Sequence, residues 1–192
     1  MLLHACCAPC LIHPVEVFGG EGRAVTVLFY NPNIHPYREY LKRYLEVEKY
    51  CLKAGIQLSA GRYRMELFLS AVAGLELLCA DLSVSGGGPG PRGRCLACYR
   101  LRLDAAAVRA SELKAESFTT TLLVSPYQDH EAVIAAGHEA AGRRGVVFDD
   151  RDMRPGYNRA VAASRDLGMY RQGYCGCVYS EKERYQKQDP PG

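Results

Sequence analysis

Short apolar runs alternate with longer segments of helical periodicity along this chain, and that alternation constrains the fold more than any other feature. The clearest apolar run is residues 24–30 (Ala-Val-Thr-Val-Leu-Phe-Tyr), followed after a turn by an amphipathic segment at residues 37–54. Strands that alternate with helices form βα units, whose parallel strands are covered by helices on both faces. The sequence therefore predicts an α/β protein, Rossmann-like and layered α/β/α, with a mostly parallel sheet.

The predicted elements follow one another with no internal repeat and no linker between them. Strands are predicted at residues 2–5, 24–30, 56–63, 117–124 and 146–149, and helices at residues 37–54, 65–80, 95–115, 128–143 and 158–167. Glu39 and Arg43 form a supportive i,i+4 pair in the first of these helices. Residues 85–93, rich in Gly and Pro, predict an irregular loop. We expect one domain at residues 1–185 and a flexible tail at residues 186–192.

Charge and hydropathy exclude some classes of protein and leave others open. The net charge of +3 and the pI of about 8.3 permit a nucleic-acid partner without demanding one. No apolar run approaches the roughly 18 residues of a membrane span, and the first residues lack the pattern of a signal peptide. A cytoplasmic protein with no membrane partner is expected.

Nine cysteines require an explanation. A disulfide framework fits poorly, because the number is odd, the chain is not small and no export signal is present. In a reducing compartment, closely spaced cysteines more often bind metal or carry out redox chemistry. Cys51 and Cys79 stand alone in helical segments and are expected to pack as small core residues.

The chemistry-bearing motifs fall where predicted strands end. Cys6-Cys7-Ala8-Pro9-Cys10 follows the first strand, Asn31-Pro32-Asn33-Ile34-His35-Pro36 follows the second, and residues 125–130 follow a later one. In open α/β sheets, ligands bind at the carboxyl ends of the strands. We therefore expect a metal site at this edge of the sheet.

The spacing of the cysteines favours a metal centre with thiolate ligands. Cys95 and Cys98 lie three residues apart at the predicted start of a helix, where backbone amides would favour thiolates. With Cys6 and Cys7 they make four thiolates, which suit either tetrahedral zinc or an iron–sulfur cluster. Adjacent cysteines on a turn reach separate irons more easily than one zinc, so a cluster is favoured. Cys10 is a fifth thiol that could hold a further metal or stay reactive.

Cys175-Gly176-Cys177 forms a different kind of pair. One intervening glycine allows a short-loop disulfide that is easily reduced, which suits the storage and release of two electrons. Metal ligation and simple core packing remain open alternatives for these two cysteines.

Other candidate residues carry weaker signals. His35 could be a ligand, a proton donor or a turn residue, and Asp129 suits a helix cap at least as well as an acid. Asp149, Asp150 and Asp152 could hold a cation or form a solvated turn. Aromatic and basic residues around the loops are typical of a single-stranded nucleic-acid site, although half of the tyrosines could be core; they are Tyr37, Arg38, Tyr99, Arg100, Tyr127, Tyr157, Tyr170 and Arg171.

The motifs together resemble those of the QueH-type epoxyqueuosine reductases from His4 to about Arg184. The matching segments are HACCAPC (4–10), YNPNIHPYREY (30–40), CLACYRLRL (95–103), FTTTLLVSPYQDH (118–130), DMRPGY (152–157) and YRQGYCGCVYS (170–180). The chain departs from the family pattern in the Gly- and Pro-rich stretch before Cys95 and at Met153, where Phe is common. The expected fold is then of the adenine nucleotide alpha-hydrolase-like type.

The resemblance implies a reaction and its cofactors. It implies deoxygenation of the cyclopentane epoxide of epoxyqueuosine, at the wobble position of tRNA, to the alkene of queuosine. Cys6, Cys7, Cys95 and Cys98 would ligate a [4Fe–4S] cluster, Cys10 would contribute to an additional mononuclear iron, and no cobalamin is implied. Cys175 and Cys177 would form the redox-active pair, supplied by an electron donor that the sequence does not identify.

The predicted reaction and the sequence pattern suggest further candidate roles around the cofactors. The predicted catalytic residues are Cys175, Cys177 and Cys10, together with His35 or Asp129 as the acid that protonates the leaving oxygen. The predicted substrate-binding residues are Asn31, Asn33, Tyr37, Arg38, Tyr99, Tyr127, Arg154 and Arg171.

Two other functions compete with this prediction. An ATP-dependent tRNA sulfur transferase has a similar layout, but it needs a phosphate-binding glycine loop after the first strand, where this chain has Cys6 to Cys10. A non-catalytic, zinc-binding RNA module would use the same cysteines. Protein purified without oxygen would be brown if it held iron and sulfide and colourless if it held zinc.

Overall fold

Five parallel strands form the central sheet of the computed structural model, which describes residues 1–73, 75 and 91–186. The strands are β1 (Leu2–His4), β2 (Thr26–Phe29), β3 (Gln57–Ala60), β4 (Ser117–Thr120) and β5 (Val147–Phe148). Every pairing among these strands is parallel, which confirms the predicted α/β class. The predictions for Cys79, for residues 76–80 of a helix, for residues 85–90 of the loop and for residues 187–192 of the tail lie outside the described residues.

The order of the strands places a crevice beside β1. The sheet runs β3-β2-β1-β4-β5, so the chain builds outward from β1 on one side and then returns to build outward on the other. The connections from β1 and from β4 therefore leave the sheet in opposite directions. Such a switch point is the usual place for a ligand in an open α/β sheet.

Seven helices surround the described sheet. They are α1 (Ile12–Gly20), α2 (Tyr37–Ala54), α3 (Met65–Val72), α4 (Pro91–Glu112), α5 (His130–Arg144), α6 (Tyr157–Asp166) and α7 (Val178–Tyr185), with 3-10 turns at Pro9–Leu11, Thr121–Val124 and Arg154–Gly156. Helices α1 and α7 were not predicted: α1 contains Pro14 and ends in two glycines, and α7 is short and polar.

Several predicted boundaries were wrong: the helix predicted at residues 65–80 ends at Val72, and two other differences have local reasons. The strand predicted at residues 117–124 ends at Thr120, whose hydroxyl accepts the amide of Leu122 and starts a 3-10 turn. Helix α4 begins at Pro91, so residues 91–93 are helical where a loop was predicted. Proline suits the first turn of a helix, because the amide that it lacks would have no partner there.

Side chains of alternate strand residues build a core on each face of the sheet. Leu2, Leu28 and Phe118 pack on one face with α4 and α5. Leu3, Val27 and Phe29 pack on the other face, where α2 contributes Tyr40, Val47 and Cys51. Cys51 is fully buried in this second core, which confirms its predicted packing role.

Within the described residues, no helix is long and apolar enough to cross a membrane.

Candidate metal and dithiol site

Three thiols converge where β1 leaves the sheet. After Ala5 the chain turns through Cys6 and Cys7 into the 3-10 turn that holds Cys10 and leads into α1. The sulfur of Cys6 lies 3.9 Å from that of Cys7, and the sulfurs of Cys6, Cys7 and Cys10 all lie within 4.8 Å of one another. These three donors could hold a metal ion.

Thr121 supports this triad from the 3-10 turn that follows β4, the strand next to β1. The Cys6 amide donates to Thr121 Oγ1 at 3.1 Å, and the hydroxyl of Thr121 donates to Cys6 Sγ at 3.4 Å. Hydrogen bonds from Cys10, Cys7 and Thr121 hold the pKa of Cys6 well below that of an ordinary thiol, and the bond with Cys6 raises that of Cys10. The triad is therefore poised to present a thiolate at Cys6.

Cys95 and Cys98 lie inside α4, and their predicted stabilisation by helix-start amides was wrong. The unpaired amides of a helix start belong here to residues before Cys95, because α4 begins at Pro91. Burial raises the pKa of Cys95 and raises that of Cys98 to about 11. Cys98 packs with Phe68 and Cys177, which brings the CxxC motif beside the dithiol. A metal would have to stabilise the thiolates of this pair.

Cys175 and Cys177 face each other as two thiols whose sulfurs are 3.7 Å apart. The hydrogen bond from Cys177, with a further one from Ser180, lowers the pKa of Cys175 to about 5, whereas the same bond raises that of Cys177. Cys177 also caps α7, because its sulfur accepts the amide of Ser180 at 3.3 Å. None of the eight described cysteines is joined in a disulfide. The pair combines a reactive thiolate with a neighbouring thiol.

Buried side chains of α2 hold the dithiol loop in place. Arg43, 1% exposed, donates to the carbonyl oxygens of Cys175 at 2.9 Å and Tyr174 at 3.2 Å. Its Nε pairs with Glu39 at 2.7 Å, as the i,i+4 spacing predicted, and the hydroxyl of Tyr170 donates to the same carboxylate at 2.7 Å. The spacing could reveal the ion pair but not the loop that it supports, because that loop lies more than 120 residues away.

The loop after β2 is tied to the same segment. The His35 amide donates to the carbonyl of Gly176 at 2.7 Å, and the Tyr174 hydroxyl donates to the carbonyl of His35 at 2.7 Å. Gly176 has a φ of +122°, and a Cβ there would lie 2.9 Å from Ile34 Cγ1. Only glycine fits this position without displacing the loop after β2.

The hydrogen bonds around His35 fix which nitrogen is open. The hydroxyl of Tyr63 donates to the carbonyl of Ile34 at 2.9 Å and lies 3.1 Å from His35 Nδ1. Since that hydroxyl has a single proton, Nδ1 donates, and Nε2 of the neutral ring is an acceptor. Nε2 is buried without a hydrogen-bond partner among the described residues, and burial lowers the pKa of His35.

Amide oxygens near the triad also lack partners. Asn31 Nδ2 donates to the carbonyl of Ala5 at 2.8 Å, but Asn31 Oδ1, Asn33 Oδ1 and Gln172 Oε1 are buried and unpaired among the described residues. Gln172 lies against Cys7 and also lines a cavity of about 70 Å³ next to Cys10. Buried acceptors without donors are uncommon in native proteins, so these oxygens suit a ligand that offers hydrogen-bond donors.

The predicted substrate-binding residues divide into open and occupied side chains. Tyr37, Arg38, Tyr127 and Arg171 are exposed, and the described residues offer no ion-pair partner to either arginine. Tyr99 instead packs in the core, 3% exposed, with its hydroxyl donating to Gln128 Oε1 at 3.0 Å. Its ring is not open for stacking, which corrects the predicted contact.

Arg154 and the acidic residues near it already have partners. Arg154 forms a two-bond ion pair with Asp152, Asp149 pairs with Arg23 at 2.7 Å, and Asp150 lies 2.9 Å from His138. The three carboxylates of this turn therefore already have side-chain partners, as in the solvated-turn interpretation. Asp129 caps α5 by accepting the amide of Ala132 at 3.1 Å, which leaves His35 as the candidate acid with an open ring nitrogen.

The cysteines predicted to act together form two neighbouring groups. The tight triad contains Cys6, Cys7 and Cys10, whereas Cys98 packs beside the dithiol. Arg102, which sequence reasoning missed, is buried and interacts electrostatically with Cys6 of the first group and with Cys98 and Cys175 of the second. The sequence signal for this contact is the position of Arg102 four residues after Cys98 in CLACYRLRL, which places the two side chains on the same face of a helix. The thiol donors and the buried cation fit a metal–thiolate group, which carries negative charge.

Fold and site together define a Rossmann-like α/β protein with a cysteine-lined, metal-competent site at its switch point and a dithiol packed against Cys98 of the CxxC motif. A family model described as epoxyqueuosine reductase QueH matches residues 1–183. The chain belongs to the epoxyqueuosine reductase QueH family. The relatives are curated as epoxyqueuosine reductases, which are oxidoreductases.

Three relatives illustrate the match, and each bears the name epoxyqueuosine reductase QueH. The protein of Helicobacter pylori is 38% identical over 98% of this chain and 51% of its own length. The protein of Dehalococcoides mccartyi is 34% identical over 100% of this chain and 97% of its own. The protein of Thermotoga maritima is 35% identical over 97% of this chain and 93% of its own length. The chain thus spans about half of the first relative and nearly all of the other two.

Proposed function

We propose that this chain reduces the epoxide of epoxyqueuosine, at the wobble position of tRNA, to the alkene of queuosine. The observation that carries the proposal is the dithiol of Cys175 and Cys177, packed against Cys98 in a member of the epoxyqueuosine reductase family that also holds a metal-competent thiol triad. The relatives' name specifies the substrate, and the dithiol offers the two electrons that the reduction requires.

The thiols would divide between two metal groups. Cys6, Cys7, Cys95 and Cys98 would hold a [4Fe–4S] cluster, and Cys10 would contribute to holding an additional iron. When bound, the cluster supplies single electrons and the additional iron supplies a Lewis acid. The sulfurs of Cys6, Cys7 and Cys10 lie within 4.8 Å of one another, so Cys10 is close enough to two of the cluster's proposed ligands to hold an iron beside the cluster. Thr121 orients Cys6 through two hydrogen bonds.

The dithiol balances the reaction. Two carbon–oxygen bonds of the epoxide break and a carbon–carbon double bond forms, while the Cys175 thiolate and the Cys177 thiol lose two electrons and one proton and form a sulfur–sulfur bond. A second proton comes from solvent. The oxygen takes both protons and leaves as water. The lowered pKa of Cys175, to about 5, keeps its sulfur ionised at neutral pH for electron donation. An external electron donor then reduces the disulfide for the next cycle.

His35 moves a proton toward the leaving oxygen. Its Nδ1 is fixed by Tyr63, so Nε2 is the atom that picks up a proton released by the dithiol and passes it on. Because burial lowers the pKa of His35, the protonated ring gives up its proton readily. The backbone bond from His35 to Gly176 keeps the ring next to the dithiol loop.

The surrounding side chains would receive the nucleoside and the anticodon loop. Unpaired oxygens of Asn31, Asn33 and Gln172 would accept hydrogen bonds from hydroxyl or amino groups of the nucleoside. The exposed side chains of Tyr37, Arg38, Tyr127 and Arg171 offer stacking faces and positive charge to single-stranded RNA. A tRNA substrate and a reduced dithiol both fit a cytoplasmic location.

Nucleoside analysis tests the proposal. Protein reconstituted with iron and sulfide without oxygen is incubated with tRNA carrying epoxyqueuosine and a chemical reductant, and digested nucleosides are identified by mass. We expect queuosine from the wild type, none from Cys175→Ser, and unchanged visible absorption in that variant. The control is Cys51→Ala, whose cysteine is buried in the core under α2 and should leave the yield unchanged.

The same experiment separates the competing functions. Wild-type protein that yields no queuosine contradicts the proposal. Colourless protein with tightly bound zinc would indicate an RNA-binding zinc module, and ATP-dependent transfer of sulfur to tRNA would indicate the thiolating enzyme. The structure offers that last function no support, because β1 leads into the cysteine triad and a 3-10 turn instead of a glycine loop.

A further inference from the structure

Arg102 is a buried cation on the helical face that carries the CxxC motif. It lies four residues after Cys98 and seven after Cys95 on α4, a spacing that places all three on one side of the helix. It is 4% exposed, and its Nε donates to the carbonyl oxygen of Cys98 at 3.2 Å. Its guanidinium carbon lies 5.7 Å from the ring centre of Tyr99.

No carboxylate neutralises Arg102 within the described part of the chain. The other deeply buried arginine, Arg43, pairs with Glu39 at 2.7 Å, and exposed arginines such as Arg100 and Arg154 also have acidic partners. An unpaired charge in the interior is strongly destabilising, because it has lost its hydration without gaining a partner. Since Arg102 is retained in the interior, a negative group must face it.

The groups that can become negative around Arg102 are the thiols. Its electrostatic partners are Cys98, Cys6, Tyr99 and Cys175, and it also acts on Cys95 and on the neutral ring of His4. The burial of Tyr99 keeps that hydroxyl protonated by raising its pKa. The negative charge therefore has to come from thiolates of the triad, the CxxC motif or the dithiol.

We propose that Arg102 is the counter-ion of the metal–thiolate group and raises its reduction potential. The inference rests on the proposed function, because it takes the cysteines to hold the iron–sulfur cluster. Each electron added to such a cluster adds negative charge, and a fixed cation in a low-dielectric interior favours the more negative, reduced form. Arg102 is thus a positioning and charge-setting residue that acts through the cluster's ligands.

Substitution of Arg102 separates charge from shape. Arg102→Lys keeps the positive charge, whereas Arg102→Met keeps a long side chain without charge. In an anaerobic redox titration of the reconstituted protein, followed by electron paramagnetic resonance, Arg102→Met should shift the one-electron equilibrium about tenfold or more against reduction, a fall of about 59 mV. Arg102→Lys should retain most of the wild-type potential.

Arg100→Met is the matched control on the same helix. Arg100 is exposed and pairs with Glu139 at 2.8 Å, so its loss should leave the potential unchanged. A wild-type potential in Arg102→Met, or equal shifts in the Lys and Met variants, would overturn the inference. Folding of each variant is checked by circular dichroism. If Arg102→Met does not fold, Arg102→Gln is used as the uncharged variant.

Metal retention gives a second measurement that does not depend on the cluster or on turnover. Wild type and Arg102→Lys should lose bound zinc to a chelator more slowly than the neutral variants, because the cation stabilises the thiolates that bind the metal. Equal rates in all variants would contradict the inference. Protein with the expected order of potentials that forms no queuosine would contradict only the proposed function, whereas queuosine formation with equal potentials would contradict only the role of Arg102.

Discussion

The guanidinium of Arg43 donates a 2.9 Å hydrogen bond to the carbonyl oxygen of Cys175, and it is the buried support of the dithiol loop. A second bond reaches the carbonyl of Tyr174, and the ion pair with Glu39 holds the guanidinium on α2. The position of the reactive pair therefore depends on a helix that packs on the opposite core from the CxxC motif. The loop and the helix should respond together to substitution.

Replacement of Arg43 tests this dependence. Arg43→Met leaves Glu39 partly unpaired and two carbonyls without a donor, so we expect the free energy of unfolding to fall by roughly 3–5 kcal/mol. Urea unfolding of the reduced, metal-free chain measures it. The control is Lys49→Met on the same helix, where an exposed pair with Glu46 at 3.9 Å should contribute at most about 0.5 kcal/mol. Similar losses in both variants would contradict the supporting role of Arg43.

Gly176 should not tolerate a side chain. Gly176→Ala adds a methyl group 2.9 Å from Ile34 Cγ1 at a φ of +122°, and we expect a destabilisation of about 1–3 kcal/mol with displacement of the dithiol loop. Gly168→Ala is the control: its φ is +61°, but no described atom lies within 4 Å of the new Cβ. A cost near 1 kcal/mol is expected there. Thermal unfolding measures both variants. Equal destabilisation of the two would show that the contact with Ile34 adds nothing to the cost of the positive φ.

Thr121 should contribute to metal affinity. Thr121→Val removes the hydroxyl that accepts the Cys6 amide and donates to the Cys6 sulfur, so zinc binding by the reduced chain should weaken about 10–100-fold. Thr121→Ser keeps the hydroxyl and should retain most of the affinity. Competition with a coloured chelator measures both variants. Unchanged affinity in Thr121→Val would show that the hydroxyl does not act on the ligand.

The layered fold could be predicted because its signals are local. The apolar run that forms β2 and the periodicity of α2 are both properties of neighbouring residues, and the structure has both elements. Helix α1 could not be predicted in this way, since Pro14 and its terminal glycines oppose helix formation in isolation. Phe18 of α1 is fully buried against Val124 and Met153, so tertiary packing stabilises that helix.

The site was less accessible to sequence reasoning than the fold. Spacing brought out the cysteines, but the roles of Thr121, Arg43 and Arg102 depend on contacts between distant segments. Cys95 shows the limit clearly: its expected thiolate character depended on where α4 begins, and a start at Pro91 removes it. Sequence spacing reveals the partner of a buried charge when that partner lies on the same helix, as Glu39 does for Arg43, but not when the partner lies on a distant segment.

Alkylation tests the asymmetry of the dithiol. Because the pKa of Cys175 is lowered to about 5, it is a thiolate above that pH, and its labelling by iodoacetamide in the reduced, metal-free chain should fall with a midpoint near pH 5 on acidification. Cys177→Ala removes the largest cause of that shift, so the midpoint should move toward the ordinary thiol value of 9.0. Cys95 is an internal control, since its pKa is raised and its labelling should require alkaline pH. Mass analysis of labelled peptides assigns each rate; a Cys175 midpoint that matches that of Cys95, or that ignores Cys177→Ala, would mean that the neighbouring thiol does not activate it.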